Sequence, residues 1–234
     1  MTNYILVAGA WLGAWAWEEV AAELRAAGHD VRAVTLSGLA EKQAVPAGQQ
    51  THVQDVLDEV DKIEHLGPRD VVLVGHSYAG VPVGQAAERI GGRLRRVVFV
   101  DSNVPVDGES FLDGFSSDHI RQSLDAHDGV WPPLPPAAYE GQDLDQEQIH
   151  RIVSEGTPHP GATLTEPAVL ERPLGGLSAT YVKCSLDGRT PLPAVAELLK
   201  SESWELTELD TGHWPMFSRP RELARILHES ATVA

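Results

Sequence analysis

The serine in the segment 74–80 is the residue of this sequence that is best suited to nucleophilic chemistry. Ser77 lies between a buried-strand pattern and a helical pattern that starts near residue 81. A turn that joins a strand to a helix this tightly needs small residues two positions before and two positions after the serine, here Gly75 and Ala79, and it raises the hydroxyl above the sheet. The motif alone is weak evidence, and its simpler interpretation is a serine that caps a helix. The flanking strand and helix patterns favour a nucleophile.

A serine hydroxyl is a poor nucleophile at neutral pH, so it needs a base and a carboxylate that orients the base. His213 and Asp187 each lie just after a strand candidate. With Ser77 they would meet at the carboxyl ends of the strands, where open α/β sheets bind their ligands. Asp101 also follows a strand, and Asp210 is close to His213. Both are alternatively hydrogen-bond partners or turn residues.

The other histidines are weaker candidates for the base. His76 is bound into the turn itself, with its side chain expected to face away from the chemistry of Ser77, and His228 belongs to the last helical pattern. Four more lie in a segment without strong strands: His119, His127, His150 and His159. A solvated or hydrogen-bonded side chain is the ordinary role of such residues.

Acyl transfer also needs N–H donors for the oxyanion that develops on the substrate. The backbone N–H of Tyr78, directly after the nucleophile, is one candidate, and the loop after the first strand should supply the other. In that loop Gly9 lets the backbone pass close to the serine, and Ala10 is the predicted donor. An ordinary strand-to-helix turn would have the same sequence.

These residues depend on alternating strands and helices for their positions. Apolar or β-branched runs predict strands at 4–7, 31–34, 71–74, 97–100, 179–182 and 204–207. Apolar residues at three- and four-residue steps predict helices at 17–24, 53–63, 81–90 and 223–227. This alternation indicates βαβ units, hence a single α/β domain over 1–234 with a mostly parallel sheet flanked by helices.

One long segment, residues 103–176, breaks the alternation and is called the insertion below. It holds many of the prolines and one good helical pattern, formed by Leu144, Ile149, Ile152 and Val153. An insertion of this length between two sheet strands is usually functional, so we expect a lid over the site. The alternative is a surface excursion without a role. The core would then consist of 1–102 and 177–234.

The composition limits the kinds of binding partner that we expect. The 234 residues carry 18 Lys and Arg against 34 Asp and Glu, a formal net charge of −16. This charge repels phosphate backbones and anionic membranes, so neither nucleic acid nor a membrane is an expected partner. Neither a signal peptide nor a zinc-type Cys/His spacing is recognisable, and the one cysteine, Cys184, has no disulfide partner in the chain. The sequence predicts a cytoplasmic protein without a bound metal.

The whole pattern resembles the α/β-hydrolase superfamily, and within it the small esterase and hydroxynitrile-lyase group that includes plant methyl-ester esterases. The similar segments are Ile5–Trp17, Leu73–Gly80, Val98–Ser110, Tyr181–Asp187 and Thr211–Pro220. The resemblance extends over nearly the whole chain and is loosest at 111–176. It implies an α/β-hydrolase fold with a helical cap and an apolar acyl or aryl pocket. It also implies Ser77, Asp187 and His213 as the triad and Ala10 with Tyr78 as the oxyanion hole.

Two departures from the family pattern bear on the chemistry. The family usually has His-Gly in the first loop, where this chain has Ala8 before Gly9. The plant lyases carry a lysine beside the catalytic histidine and a threonine in the first loop, where this chain has Trp214 and Trp11. Without an ammonium group to stabilise leaving cyanide, cyanohydrin cleavage is disfavoured.

The sequence thus favours a cofactor-independent serine hydrolase for a small or medium carboxylic ester or lactone. The alternatives are a lyase or another non-hydrolytic use of the same triad, such as cyclisation or C–C cleavage, and a binding protein that retains the pocket. Trp11, Trp214 and Trp131 are the candidate contacts to a small-molecule substrate. Buried aromatic residues belong as often to the core as to a pocket. The oligomeric state, a monomer or a homodimer, is left open.

Overall fold

The computed structural model describes residues 1–115, 117–188 and 190–232. Residues 116, 189, 233 and 234, which the predicted domain ranges include, lie outside this description. The strands are β1 (Asn3–Val7), β2 (Asp30–Val34), β3 (Val71–His76), β4 (Leu94–Val100), β5 (Val130–Trp131), β6 (His159–Pro160), β7 (Ala179–Cys184) and β8 (Trp204–Leu209). The α-helices are α1 (Glu18–Ala26), α2 (Gln49–Asp61), α3 (Gly80–Ile90), α4 (Asp118–Ala126), α5 (Gln146–Glu155), α6 (Ala162–Thr165), α7 (Pro193–Leu198), α8 (Pro215–Ser218) and α9 (Pro220–Ser230).

The main sheet has the strand order β2-β1-β3-β4-β7-β8, and within the described ranges all of its neighbouring strands are parallel. These six strands correspond to the six that the apolar and β-branched runs predict. The chain first moves outward from β1 to β2, then returns to place β3 on the other side of β1. The order reverses between β1 and β3, and a crevice forms at such a point beyond the carboxyl ends of the strands. The loops after β1 and β3 both border it.

Apolar side chains cover both faces of the sheet, because successive residues of a strand point to opposite sides. On one face Ile5 and Leu73 pack with apolar residues of α2 and α3. On the other face Leu6 and Val74 pack with residues of α1 and α9. Full burial of side chains of this kind contributes roughly 1.5–3 kcal/mol each, which makes the strand ends a rigid platform for the loops that follow them.

The insertion contributes no strand to the main sheet in the part that the structure describes. It contains α4, α5 and α6 and a small antiparallel ribbon in which β5 pairs with β6, with Trp131 opposite His159. The helical pattern around Ile149 is confirmed as α5, whereas the two-residue strands carry too few residues to show a periodicity. In the described ranges, every helix is too short or too polar to span a lipid bilayer.

Candidate active site

The turn after β3 holds Ser77 in a strained conformation. Its φ is 54°, in the left-handed region that residues with a side chain rarely adopt. The turn is tight enough that a Cβ added at Gly75 would lie 2.9 Å from the carbonyl oxygen of Ala79 and 3.0 Å from Cβ of Val83. The predicted strand-to-helix turn is therefore present, and its geometry requires glycine two residues before the serine.

His213 lies next to Ser77. The distance between its Nε2 and the Ser77 Oγ is 2.9 Å, within hydrogen-bond range. The main chain of His213 is fixed on both sides, since its N–H donates to Oε1 of Gln142 at 2.7 Å and its carbonyl accepts from Nε2 of His76 at 2.7 Å. The imidazole of His76 thus supports the backbone of His213.

Two carboxylates face the other nitrogen of the His213 ring. Oδ2 of Asp101 is 2.7 Å from Nδ1, and Oδ2 of Asp187 is 3.2 Å from the same atom. The sequence predicts Asp187 in this place, with Asp101 as a hydrogen-bond partner or turn residue. The structure brings both to the ring. Asp210, the third acidic candidate, instead accepts a hydrogen bond from Ser185 at 2.8 Å.

Opposite charges shape the electrostatics of this cluster. Contact with His213 holds the pKa of Asp187 well below its usual range. Burial acts to lower the pKa of His213, but its contacts with Asp101 and Asp187 outweigh burial and raise the pKa to about 9. Burial and the neighbouring His213 keep the pKa of His76 well below 6.5. His76 is therefore neutral at physiological pH.

Asp101, Asp187 and His213 also have the spacing of a metal site, because one ligand atom from each lies within 4.8 Å of the others. The Lys183 ammonium pairs with Oδ1 of Asp101, and a positive charge at this position opposes a bound cation. The ring nitrogen that does not face the acids is directed at the Ser77 hydroxyl. The arrangement suits proton transfer better than metal ligation.

The loop after β1 passes directly over Ser77. A Cβ added at Gly9 would lie 2.7 Å from Cβ of Ser77 and 3.1 Å from the carbonyl oxygen of His76. Only glycine permits this approach without displacement of the loop. Ala10 follows Gly9, and its N–H makes no hydrogen bond to a residue in the described ranges. Ala10 follows the residue that approaches Ser77, and Tyr78 directly follows Ser77 in the chain. Their role as an oxyanion hole stays a prediction.

The insertion holds Trp11, the next residue of this loop, through four hydrogen bonds. The Trp11 N–H donates to Nδ1 of His159 at 3.4 Å, and the indole N–H donates to the carbonyl of Trp131 at 3.0 Å. The Trp11 carbonyl accepts from the N–H of Thr157 at 2.9 Å and from its hydroxyl at 3.5 Å. Like Ser77, Trp11 has a positive φ, at 68°. Contacts to the insertion therefore fix the backbone next to the predicted donor Ala10.

His159 positions this loop, a role that the sequence patterns do not predict. Its Nδ1 accepts from Trp11, so Nε2 carries the ring proton and donates to Oγ1 of Thr163 at 2.9 Å. Complete burial holds the pKa of His159 well below 6.5, which keeps the ring neutral and Nδ1 free to accept. The loop itself carries Ala8 where the family resemblance predicts a histidine, and the histidine that contacts the loop comes from the insertion. Only the pairing of β5 with β6 reveals this contact.

The three predicted substrate-contact tryptophans are largely packed against protein. The ring centroids of Trp11 and Trp131 lie 4.2 Å apart. Trp214 lies 5.0 Å from the ring of His213 and 4.6 Å from that of Tyr139. Trp11 and Trp214 are both 6% exposed, so each offers little surface to a ligand in this conformation. Contact with substrate stays a prediction for all three.

A cavity of about 210 Å³ opens beside His213. Its lining includes Asp101, Asn103, Phe115, Tyr181, Asp187, Leu192 and His213. Asn103 and Leu192 also line a larger cavity, of about 770 Å³, whose walls include the apolar residues Val81, Val104 and Phe111. The Asn103 N–H donates to the carbonyl of Ser77 at 3.3 Å, which ties this apolar space to the backbone of the nucleophile.

Comparison with known proteins agrees with this fold. The family model described as "Alpha/beta hydrolase family" matches residues 4–226. A carbendazim-hydrolysing esterase from Nocardioides sp. (strain SG-4G) is 32% identical, over 97% of this chain and 98% of that protein. Methylesterase 9 from Arabidopsis thaliana is 26% identical, over 95% of both chains. The solved structure of an extracellular α/β-hydrolase from a Paenibacillus species superimposes with a TM-score of 0.86 at 21% identity, over 100% of both chains.

Proposed function

Because this chain belongs to the α/β-hydrolase family and is related over nearly its whole length to a named esterase, we propose that it is a cofactor-independent serine esterase. Its substrate class is a small or medium carboxylic ester or lactone. The observation that carries the proposal is the relay from Ser77 Oγ to His213 Nε2, 2.9 Å apart, with carboxylates at the other ring nitrogen.

The proposed reaction has two halves. His213 takes the proton of Ser77 as its Oγ attacks the ester carbonyl, and a carboxylate stabilises the imidazolium that forms. The N–H groups of Ala10 and Tyr78 receive the negative charge on the carbonyl oxygen. The tetrahedral intermediate collapses to an acyl-Ser77 and an alcohol, which takes the proton from His213. Water activated by His213 then releases the acid and restores the serine.

Active-site labelling combined with a substrate panel tests this function. We expect a fluorophosphonate to label Ser77 alone, as identified by peptide mass spectrometry, and the protein to hydrolyse p-nitrophenyl esters. The panel should also contain methyl esters, lactones, cyanohydrins and carbendazim, since methylesterases and a carbendazim-hydrolysing esterase are among the relatives. A wild-type protein that is inert to the probe and to every ester would refute the proposal. Cleavage without an acyl-enzyme or a released alcohol would favour lyase chemistry.

The close approach of Gly9 to Ser77 gives a second expected result. A methyl group at position 9 would push the loop away from the nucleophile, since its Cβ has only 2.7 Å to Cβ of Ser77. The Ala10 N–H would move with the loop. Loss of one oxyanion donor costs about 10²–10³ in kcat, so we expect a decrease of this size in Gly9→Ala, measured by steady-state kinetics with little change in KM.

A matched glycine provides the control. A Cβ added at Gly92 meets no atom within 4 Å, and Gly92 has an ordinary backbone conformation. Gly92→Ala should therefore keep the wild-type kcat. Wild-type kcat in Gly9→Ala would show that the loop after β1 does not supply a donor.

A further inference from the structure

The ring of His213 has a single N–H to give to two carboxylates. When Nε2 accepts the Ser77 proton, Nδ1 is the nitrogen that already carries hydrogen. Asp101 lies at 2.7 Å from it, a typical length for a charge-assisted hydrogen bond, and the contact satisfies hydrogen-bond geometry. Asp187 lies at 3.2 Å, the long end of the range. From these contacts we propose that Asp101, held by Lys183, is the residue that orients His213 in the proposed esterase, with Asp187 as an auxiliary contact.

Burial strengthens one of these contacts more than the other. The side chain of Asp101 is 2% exposed, whereas that of Asp187 is 41% exposed. Water competes for a carboxylate that is half in solvent, and a hydrogen bond excluded from water is electrostatically stronger. The contact between Asp101 and His213 therefore determines the orientation of the ring more strongly.

Lys183 makes the burial of Asp101 possible. A buried carboxylate without partners is costly, but here Oδ1 of Asp101 pairs with the Lys183 ammonium and accepts the N–H of Cys184 at 3.2 Å. Oδ2 is left for His213. The same ammonium donates to the carbonyl of Asp187 at 3.0 Å. One cation thus holds both acid-bearing segments in place.

Lys183 also offsets part of the negative charge next to the imidazole, because its ammonium pairs with Asp101. Two carboxylates without a cation would stabilise the imidazolium still more strongly. With Lys183 in place, the two acids raise the pKa of His213 to about 9. The two acids and the lysine therefore act as one charged unit next to the base.

The sheet gives Asp101 the more rigid backbone. His76 pairs with Val100 across β3 and β4, so Asp101 lies beside Ser77 at the same edge of the sheet. The Asp101 N–H donates to the carbonyl of Val182 at 2.8 Å, an extension of the ladder between β4 and β7. Asp187 lies three residues beyond the end of β7, in a turn closed by its N–H to the carbonyl of Cys184 at 3.2 Å.

Few other charged groups lie close enough to His213 to shift its pKa. His76 contacts it from β3 and is neutral, for the reason given above. Burial raises the pKa of Tyr181 and of Cys184 on β7, so these groups also stay neutral. On the remaining side Gln142 is uncharged, and Asp143 is paired with Arg219 at 2.8 Å. The charges that can move the pKa of His213 are therefore those of Asp101, Asp187 and Lys183.

Isosteric replacement of each acid tests the assignment. In Asp101→Asn we expect kcat on the preferred p-nitrophenyl ester to decrease by about 10²–10⁴-fold, because loss of the orienting acid leaves the ring in the wrong tautomer. In Asp187→Asn we expect a decrease of at most about tenfold, since the buried contact remains. The acidic limb of kcat/KM should move further toward low pH in Asp101→Asn than in Asp187→Asn. KM should change little in either.

Controls separate the proposed role from a purely structural one. Asp210→Asn alters an exposed acid that does not contact His213 and should match the wild type in both kcat and pH profile. Asp101→Asn combined with Lys183→Met removes both buried charges, so no unpaired ammonium remains to destabilise the fold. It should retain a cooperative thermal unfolding transition with the same loss of kcat as Asp101→Asn alone.

Proton NMR provides a readout that does not require a substrate. The wild type and Asp187→Asn should show a strongly downfield Nδ1 proton of His213, and Asp101→Asn should lose it. A larger kcat loss in Asp187→Asn than in Asp101→Asn, with the downfield proton lost there instead, would overturn the assignment of Asp101. A wild type that shows the downfield proton but neither fluorophosphonate labelling nor ester hydrolysis would overturn the esterase function and leave the positioning role intact.

Discussion

Ser77→Ala is expected to lower kcat on carboxylic esters by about 10⁴–10⁶-fold, the usual range for loss of a nucleophile that acts as one unit with its base. At about 1.36 kcal/mol per factor of ten, this is roughly 5.5–8 kcal/mol of transition-state stabilisation. KM should change little, because the apolar cavity that begins near Asn103 is unaltered. The comparison needs purified protein and a substrate from the panel with measurable kcat.

Ser154→Ala is the matched control for this variant. Ser154 is an exposed residue of α5 whose hydroxyl donates to the carbonyl of Arg151 at 3.3 Å. It should match the wild type in kcat and in fluorophosphonate labelling, whereas Ser77→Ala should lose both. Residual kcat within tenfold of the wild type in Ser77→Ala would mean that another group performs the attack.

His213→Gln should lower kcat by a similar factor, about 10⁴–10⁶. The amide can still contact the hydroxyl of Ser77, but it cannot take the proton. The double variant with Ser77→Ala should be no worse than either single one, because the two side chains contribute through one step. Losses that add in the logarithm would show that they act in separate steps.

The role of His213 as the base also predicts how kcat/KM depends on pH. Only the neutral imidazole can act as the base, and the surrounding carboxylates raise the pKa of His213 above its ordinary value. The neutral fraction therefore falls as pH decreases, and kcat/KM should fall about tenfold per unit below that pKa. The residual activity of His213→Gln should have no such limb. An unchanged limb in this variant would assign the titration to another group.

Local sequence patterns were sufficient for most of the fold. Parallel strands buried on both faces give continuous apolar runs, as in 71–74 and 97–100, and glycines mark the ends of α1 and α3. The short ribbon of β5 and β6 was not predictable in this way. Its four residues include Pro160, and their pairing depends on a contact between segments about thirty residues apart.

The site was predictable where chemistry limits the residue type. A nucleophile needs a tight turn and a base needs an imidazole after a strand, so Ser77 and His213 could be predicted as neighbours, and the structure places their side chains 2.9 Å apart. The acid was not fixed in this way, since any carboxylate after a neighbouring strand satisfies the pattern. The ranking of Asp101 against Asp187 depends on the order of β3, β4 and β7 and on the burial of Lys183. None of these is a local property of the chain.

The contact of His159 with the loop after β1 was also not predictable from local sequence. A histidine in an irregular segment is usually solvated, and its sequence neighbours offer no other signal. Its contact with Trp11 joins residues 148 positions apart in the chain.

The four hydrogen bonds between Trp11 and the insertion tie the position of the insertion to that of the loop after β1. A hinge motion that lifted β5 and β6 to admit substrate would release the peptide unit next to Ala10 at the same time. In the proposed esterase, a route for substrate that leaves these hydrogen bonds intact would run through the two cavities that share Asn103 and Leu192. Exchange of the insertion with that of a relative would also remove the hydrogen bonds that hold the loop after β1, unless His159, Thr157 and Trp131 were transplanted together.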